Sequence, residues 1–399
     1  MSGNDYLKQW YRIQLILVVL LGLLVIGHDY TIRRQVALSA MFLVVVALVA
    51  LAADVYRRAP QWLLIANRWL QAVLQPLMLI MAWGFITRLL ITQIHLPARG
   101  ATALMCLYYM GTFAPLAERI ASGFDWAISR IVLLTYWFML IVPGQLIMFP
   151  AHLALSNHLE MMMQAGVFGA FAFLIAVTTA MRQWHLSWPG IKPARLQWWV
   201  LLILILVMGG FLVLNGWPQS HLHRLHFIYL CTAVEAAVAE ETLCRFSFLG
   251  ILLKSLANLK QRVPWAILIS SLLFGFLHLT NLTEQSAAIT VYQAIAAFGI
   301  GLMLSVIYLY SGQLWLTMLF HFGIDITAFT ATGATTMTGH IGNNEWVGLL
   351  IFLVPFLLVT TWMMFGARRQ VLEENARRLT GTDQRFGYRI DYWSSQNNY

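Results

Sequence analysis

The hydrophobic pattern of this chain has no amphipathic period. Apolar residues come in long runs separated by short polar stretches. A helix crossing a bilayer core of about 30 Å needs roughly 20 such residues. Twelve runs approach that length, at about 13–27, 36–53, 70–93, 100–117, 131–155, 161–181, 198–215, 227–251, 264–280, 287–310, 313–331 and 346–365. The first and fourth are the weakest, and only Ser311-Gly312 separates the tenth from the eleventh. The predicted fold class is an all-α polytopic membrane protein of about twelve transmembrane helices. The expected organisation is a membrane region of about six helices over 1–197, a core over 198–335, a last spanning helix over 336–365 and a basic cytoplasmic tail over 366–399.

One run breaks the pattern. The stretch 227–253 is apolar enough to span, yet it carries Glu235, Glu240, Glu241 and Arg245. A charge at the centre of a span costs roughly 2.5–3.5 kcal/mol, so Glu240, Glu241 and Arg245 facing lipid would cost on the order of 8–10 kcal/mol. These groups must therefore face one another or a wet cavity. Two later runs also hold ionisable residues: His278 on the ninth, His321 and Asp325 on the eleventh. Residues four apart on a helix are neighbours. Glu241 and Arg245 can therefore pair, Asp325 can hold His321 in one tautomer or accept its proton, and Phe274 can wall His278. Glu240 points elsewhere, toward the side of Cys244. At about 1.5 Å per residue from the predicted cytoplasmic ends, Glu240, His321, Asp325 and His278 lie roughly 16, 12, 18 and 21 Å deep. Three helices of alternating direction thus bring these groups to one mid-membrane layer.

Composition agrees. The chain has 399 residues, 60% of them hydrophobic and 10% charged, with a mean hydropathy of +0.72. A soluble domain carries about 25% charged residues. The net charge of +9 is not a nucleic-acid footprint, because its basic residues sit in short segments between apolar runs. With the N-terminus cytoplasmic, 19 Lys and Arg fall on the inside and 4 on the outside, with Arg88 and Arg245 inside helices. That bias places both termini in the cytoplasm. Cys106, Cys231 and Cys244 lie in apolar runs and suggest neither a disulfide framework nor a metal spacing. The first run lacks a small-residue cleavage pattern and reads as a retained helix. The tail reads as a solvated stop signal; contact of Arg368, Arg369, Arg377 and Arg378 with anionic lipid is the other reading.

A carboxylate and two imidazoles in one buried layer admit three chemistries. They can activate water and stabilise an oxyanion. They can hold a divalent metal such as zinc. They can relay protons or bind an ion in a transporter. The lack of an internal repeat disfavours the last.

The motifs decide further. Glu240-Glu241-x3-Arg245, then Phe274-x3-His278, then His321-x3-Asp325 follow in order on separate helices. This arrangement resembles the CPBP family of membrane proteins, which contains the type II CAAX prenyl endopeptidases and bacterial Abi-type proteases. The resemblance covers roughly residues 198–335. It departs at Cys244-Arg245-Phe246, where the family more often has Phe-Arg-Gly, and Asp325 stands where many relatives have Asn. The resemblance implies an intramembrane endopeptidase acting on a membrane-associated peptide or protein. In it Glu240 with His278 would activate water, and His321 with Asp325 would stabilise the oxyanion. Glu241 with Arg245 would brace the helix, with Phe274 in support. No cofactor is certain; a divalent metal, if used, would sit on Glu240, His278 and His321. The alternative is a catalytically silent scaffold of the same family, an immunity or regulatory protein. The expected location is a bacterial inner membrane, with the lipid bilayer as partner and no nucleic acid.

Overall fold

The computed structural model describes residues 3–29, 34–55, 60–148, 157–186, 188–190, 196–216, 225–337 and 339–381. Among these the elements are all helical. The first eight α-helices are α1 (Gly3–Asp29), α2 (Arg34–Val55), α3 (Gln61–Thr92), α4 (Ala98–Thr112), α5 (Ala114–Ile120), α6 (Ala127–Gly144), α7 (Asn157–Gln164) and α8 (Val167–Gln183). The rest are α9 (Trp198–Gly216), α10 (Phe227–Glu241), α11 (Leu249–Ser255), α12 (Arg262–Leu277), α13 (Ala287–Ser311), α14 (Leu314–Thr332), α15 (Asn343–Met363) and α16 (Gly366–Leu379).

Nine described helices are long and apolar enough to cross a membrane, or ten if α7 and α8, bent by 52°, make one span. The protein is an integral multi-pass membrane protein, but the expected twelve spans are not reproduced. The predicted run 100–117 breaks at Phe113 into a 15-residue and a 7-residue helix. Pro115, in the first turn of α5, lacks the N–H that would continue α4. The run 227–251 stays helical, but its ionisable groups remove it from the apolar set and its geometry changes midway.

The described residues fall into two compact units, one ending at Trp184 and the other beginning at His185. In the first unit, α1 is apolar all round from Leu15 to Gly27, so over that stretch polarity does not choose its packed face. It buries Tyr11, Gln14, Leu15 and Val18, and it exposes Leu20, Leu23 and Leu24. Shape makes the choice. The facing helix α2 offers the buried stripe Ala37, Ala40, Ala47 and Ala50. Small side chains allow the close approach on which helix association in lipid depends. Uncharged polar side chains then tie the unit together. Gln14 donates to Thr112 Oγ1 (2.9 Å) and Tyr108 Oη (3.0 Å), and Gln75 donates to Tyr11 Oη (2.8 Å) and Gln71 Oε1 (2.8 Å).

In the second unit α13 runs through the interior, and every residue from Gly301 to Ser311 is buried. It packs against α12, α14, α15 and α16. A Cβ on Gly275 of α12 would stand 2.7 Å from the Ala294 carbonyl oxygen, so only glycine lets these two helices approach so closely. The chain leaves α13 through Gly312, whose φ of +67° suits a residue without a Cβ.

The last turn of a helix leaves carbonyls without intrahelical partners. Here α16 supplies them. Asn375, 1% exposed, donates to the carbonyls of Leu309 (2.7 Å) and Tyr310 (3.2 Å), and Arg378 donates to that of Gly312 (3.2 Å). The expectation that this segment is a solvated or lipid-lying tail is corrected for 366–379. Arg262 pairs with Glu373 (3.0 Å), Arg369 donates to the Lys260 carbonyl (2.8 Å), and the Arg368 guanidinium lies 4.2 Å from the Trp362 ring centroid. The remainder of the expected tail, 382–399, lies outside the described residues. Asn375→Ala is expected to destabilise the protein by about 1–3 kcal/mol, because buried carbonyls lose their donor. Thermal unfolding in detergent checks this; an unchanged midpoint would mean α16 does not hold α13.

Candidate active site

The helix that carries the glutamates changes pitch where they end. After α10, residues Thr242–Phe248 form a π turn, and all seven are buried. The Leu249 N–H reaches back five residues to the Cys244 carbonyl. Two serines take up carbonyl capacity in this wider turn: Ser270 of α12 donates to the Cys244 carbonyl (2.9 Å), and Ser247 to that of Thr242 (2.7 Å). Such turns are frequent where a helix carries function. Ser270 had no place in the sequence expectations, since a lone serine in an apolar run gives no signal.

Within this turn Glu241 and Arg245 are sealed, at 0% and 1% side-chain exposure, with Arg245 Nε 3.2 Å from Glu241 Oε2. The expected ion pair is present. Its geometry is that of two charges in contact rather than an aligned hydrogen bond, and Glu241 Oε2 and the three Arg245 nitrogens lack hydrogen-bond partners among the described residues. The guanidinium instead lies over the Phe274 ring, 4.2 Å from its centroid. That is cation–π distance, where a desolvated contact is worth about 2 kcal/mol.

Glu241 has a second partner that helix spacing alone could not reveal. Its Oε1 lies 2.7 Å from His321 Nδ1 on α14. A carboxylate that balances Arg245 accepts, so Nδ1 donates. The tautomer of His321 is therefore held by Glu241, and the expectation that Asp325 holds it is corrected. Asp325 Oδ2 stands 3.8 Å from the other nitrogen, Nε2, which also lies 3.7 Å from Glu240 Oε2. Both separations exceed a direct hydrogen bond and suit a group placed between them.

Exposure separates the two sets of acids. Glu241 is sealed, whereas Glu240 and Asp325 are 23% and 19% exposed. Only the latter two can meet water or a substrate. Glu240 Oε2 is itself buried and has no hydrogen-bond partner among the described residues, so the exposed part of this side chain lies elsewhere on it. The chain thus presents a bare carboxylate oxygen, a second carboxylate and an imidazole nitrogen around one point.

His278 ends α12. Its Nδ1 lies 3.0 Å from the Phe274 carbonyl, which can only accept, so Nδ1 donates and Nε2 is left as the reactive nitrogen. The Phe274 ring meets both imidazoles edge-on, with centroids 5.0 Å from His278 and 5.9 Å from His321. This one ring therefore touches the guanidinium and both histidines. One neighbour was left out of the expected site: Glu235, half-buried on α10, interacts electrostatically with Glu240, Asp325 and His321. Its place in the same apolar run was the available signal. The donors named for a metal, Glu240, His278 and His321, do not form a ligating set; no three His, Cys, Asp or Glu side chains do so among the described residues.

Comparison with known proteins bears on this region. Residues 222–327 match a protein family described as type II CAAX prenyl endopeptidase Rce1-like. The matched segment is about a quarter of the chain, and it includes the paired glutamates, both histidines and Asp325. No curated protein and no solved structure matches the chain. Over that segment, and on that evidence, the chain is similar to the Rce1-like type II CAAX prenyl endopeptidases.

Proposed function

We propose that this protein is an intramembrane endopeptidase that hydrolyses a peptide bond in a membrane-associated substrate. The observation that carries the proposal is the bare Glu240 carboxylate, 3.7 Å from an imidazole whose far nitrogen is locked by an ion-paired glutamate. Water seated beside Glu240 and His278 loses a proton to Glu240 as its oxygen attacks the scissile carbonyl carbon. The carbonyl π electrons move to oxygen, and that oxyanion accepts hydrogen bonds from the Nε2–H of a doubly protonated His321, whose Nδ1–H is held by Glu241, and from Asp325 in its protonated form. As the C–N bond breaks, the proton held by Glu240 passes to the leaving amine. Glu241 and Arg245 touch no reacting atom; they orient His321. Because the donors are not gathered as a ligating set, no step is assigned to a metal.

The 19-to-4 charge bias supports cytoplasmic termini. Short loops support a plasma-membrane location of bacterial type. A substrate reaching the site would be held near its end by the membrane, whether or not it carries a prenyl group.

The test is cleavage of a panel of membrane peptides, a prenylated CAAX peptide among them, by purified protein in detergent. Wild type should cleave and Glu240→Gln should not. Persistence under a strong chelator would identify a glutamate-type enzyme. Loss under the chelator would restore the metal reading on Glu240, His278 and His321. A folded wild type that cleaves nothing would point instead to a silent scaffold.

A further inference from the structure

A second polar site lies within the first unit and owes nothing to the endopeptidase motifs. A cavity of about 370 Å³ opens where α1, α2, α3 and α5 converge. That size is in the range of small-molecule pockets, roughly 300–1,000 Å³. Ala50, Leu64 and Ile120 give it an apolar wall, and Asp54, Arg68 and Arg119 line its charged side.

The charges do not balance. Asp54, 7% exposed, receives Arg12 Nε on one oxygen (2.7 Å) and Arg119 Nε on the other (2.5 Å). Arg68 stands on the same cavity and donates to the Gly123 carbonyl. Glu118, the acid next to Arg119, is occupied by Arg182 at 2.7 Å and does not compensate. Two guanidiniums thus meet Asp54 and a third, Arg68, lines the same cavity, an excess of two positive charges. A sealed excess of charge would be costly, but Arg12 and Arg119 keep 55% and 32% of their side chains exposed. The excess is instead held beside a cavity, at the level where apolar helices begin and end.

We propose that this cavity binds a phosphate-bearing anion, with Arg68 and Arg119, which line it, as its cationic partners and Arg12 at its margin, joined to it through Asp54. Guanidinium groups fork onto phosphate oxygens in two parallel hydrogen bonds. The apolar wall beside them suits an amphiphile, so the head group of an anionic phospholipid fits both surfaces; free phosphate shares only the first. Asp54 holds two of the arginines in place and at the same time weakens the site for an anion.

That double role gives the test its sign. The full-length protein, stripped of lipid in neutral detergent, is titrated with phosphatidylglycerol, phosphatidylcholine and inorganic phosphate. The readouts are the shift of each variant's own thermal midpoint and lipid adducts by native mass spectrometry. Phosphatidylglycerol should stabilise wild type and phosphatidylcholine should not. Arg119→Gln should weaken the response about tenfold or more, the loss of one charge-assisted contact. Arg12→Gln, at a 55% exposed side chain that folding tolerates, should weaken it as well. Asp54→Asn should strengthen it. A response to the lipid alone identifies a lipid site, and a response to inorganic phosphate identifies a free-anion site. Equal response to both lipids, no response to any probe, or loss of response in Asp54→Asn would overturn the proposal.

Discussion

On the proposed endopeptidase reading, Glu240→Gln is expected to lower the rate of peptide cleavage by about a hundred- to ten-thousand-fold, the usual contribution of a general base. The substitution keeps the shape of the side chain and removes only its ability to take a proton. Glu240 is 23% exposed, and its Oε2 has no hydrogen-bond partner among the described residues, so the folded state loses little. The thermal midpoint should therefore stay within a few degrees of wild type while turnover falls. Single-turnover cleavage of a peptide found with the wild-type enzyme is the measurement. A variant that still cleaves at wild-type rate would remove Glu240 from the mechanism. A variant that also unfolds early would show that Glu240 holds the bundle.

Arg245→Leu is expected to have the opposite balance. The guanidinium is 1% exposed and faces a fully buried carboxylate at 3.2 Å. Removing one partner of such a pair leaves an uncompensated buried charge and costs about 3–5 kcal/mol. It also strips the Phe274 ring of its cation and frees Glu241 to take a proton. Protonated Glu241 no longer holds His321 Nδ1 as a strict acceptor, so activity should fall together with stability. The double variant Glu241→Gln/Arg245→Leu separates the two effects. With neither charge buried, much of the stability should return, because replacing a whole buried pair is often neutral. Activity should not return, since His321 Nδ1 keeps no ionised partner. Recovery of activity in the double variant would mean that Glu241 only braces its helix.

The contrast between these substitutions comes from position within the same dipeptide. Glu240 and Glu241 are chemically identical, and adjacent helical residues point about 100° apart. One is turned toward the accessible side and the other is sealed between Arg245 and His321.

Much of this protein is legible in the chain itself. Long apolar runs specify membrane-crossing helices because the bilayer leaves no other way to satisfy the backbone. The charges at 240, 241 and 245 specify a site, because lipid would not tolerate them singly. Helical spacing specifies the Glu241–Arg245 pair and the Phe274–His278 contact, both of which are local. The number of spans was less legible. A break such as Phe113–Pro115 is one turn long, and hydropathy averages across it.

What only the tertiary structure decided are contacts between residues far apart in the chain. The bond from His321 to Glu241 spans 80 positions, and no periodicity encodes it. The docking of Asn375 on the end of α13 spans 66, and composition alone made that segment look like a solvated tail. The arginine-lined cavity of the first unit draws on four helices whose polar residues are scattered singly among apolar ones. In water, hydrophobic patterning would mark which faces meet. In a membrane every face is apolar, so shape and a few polar contacts choose the neighbours, and these emerge only when the helices are packed.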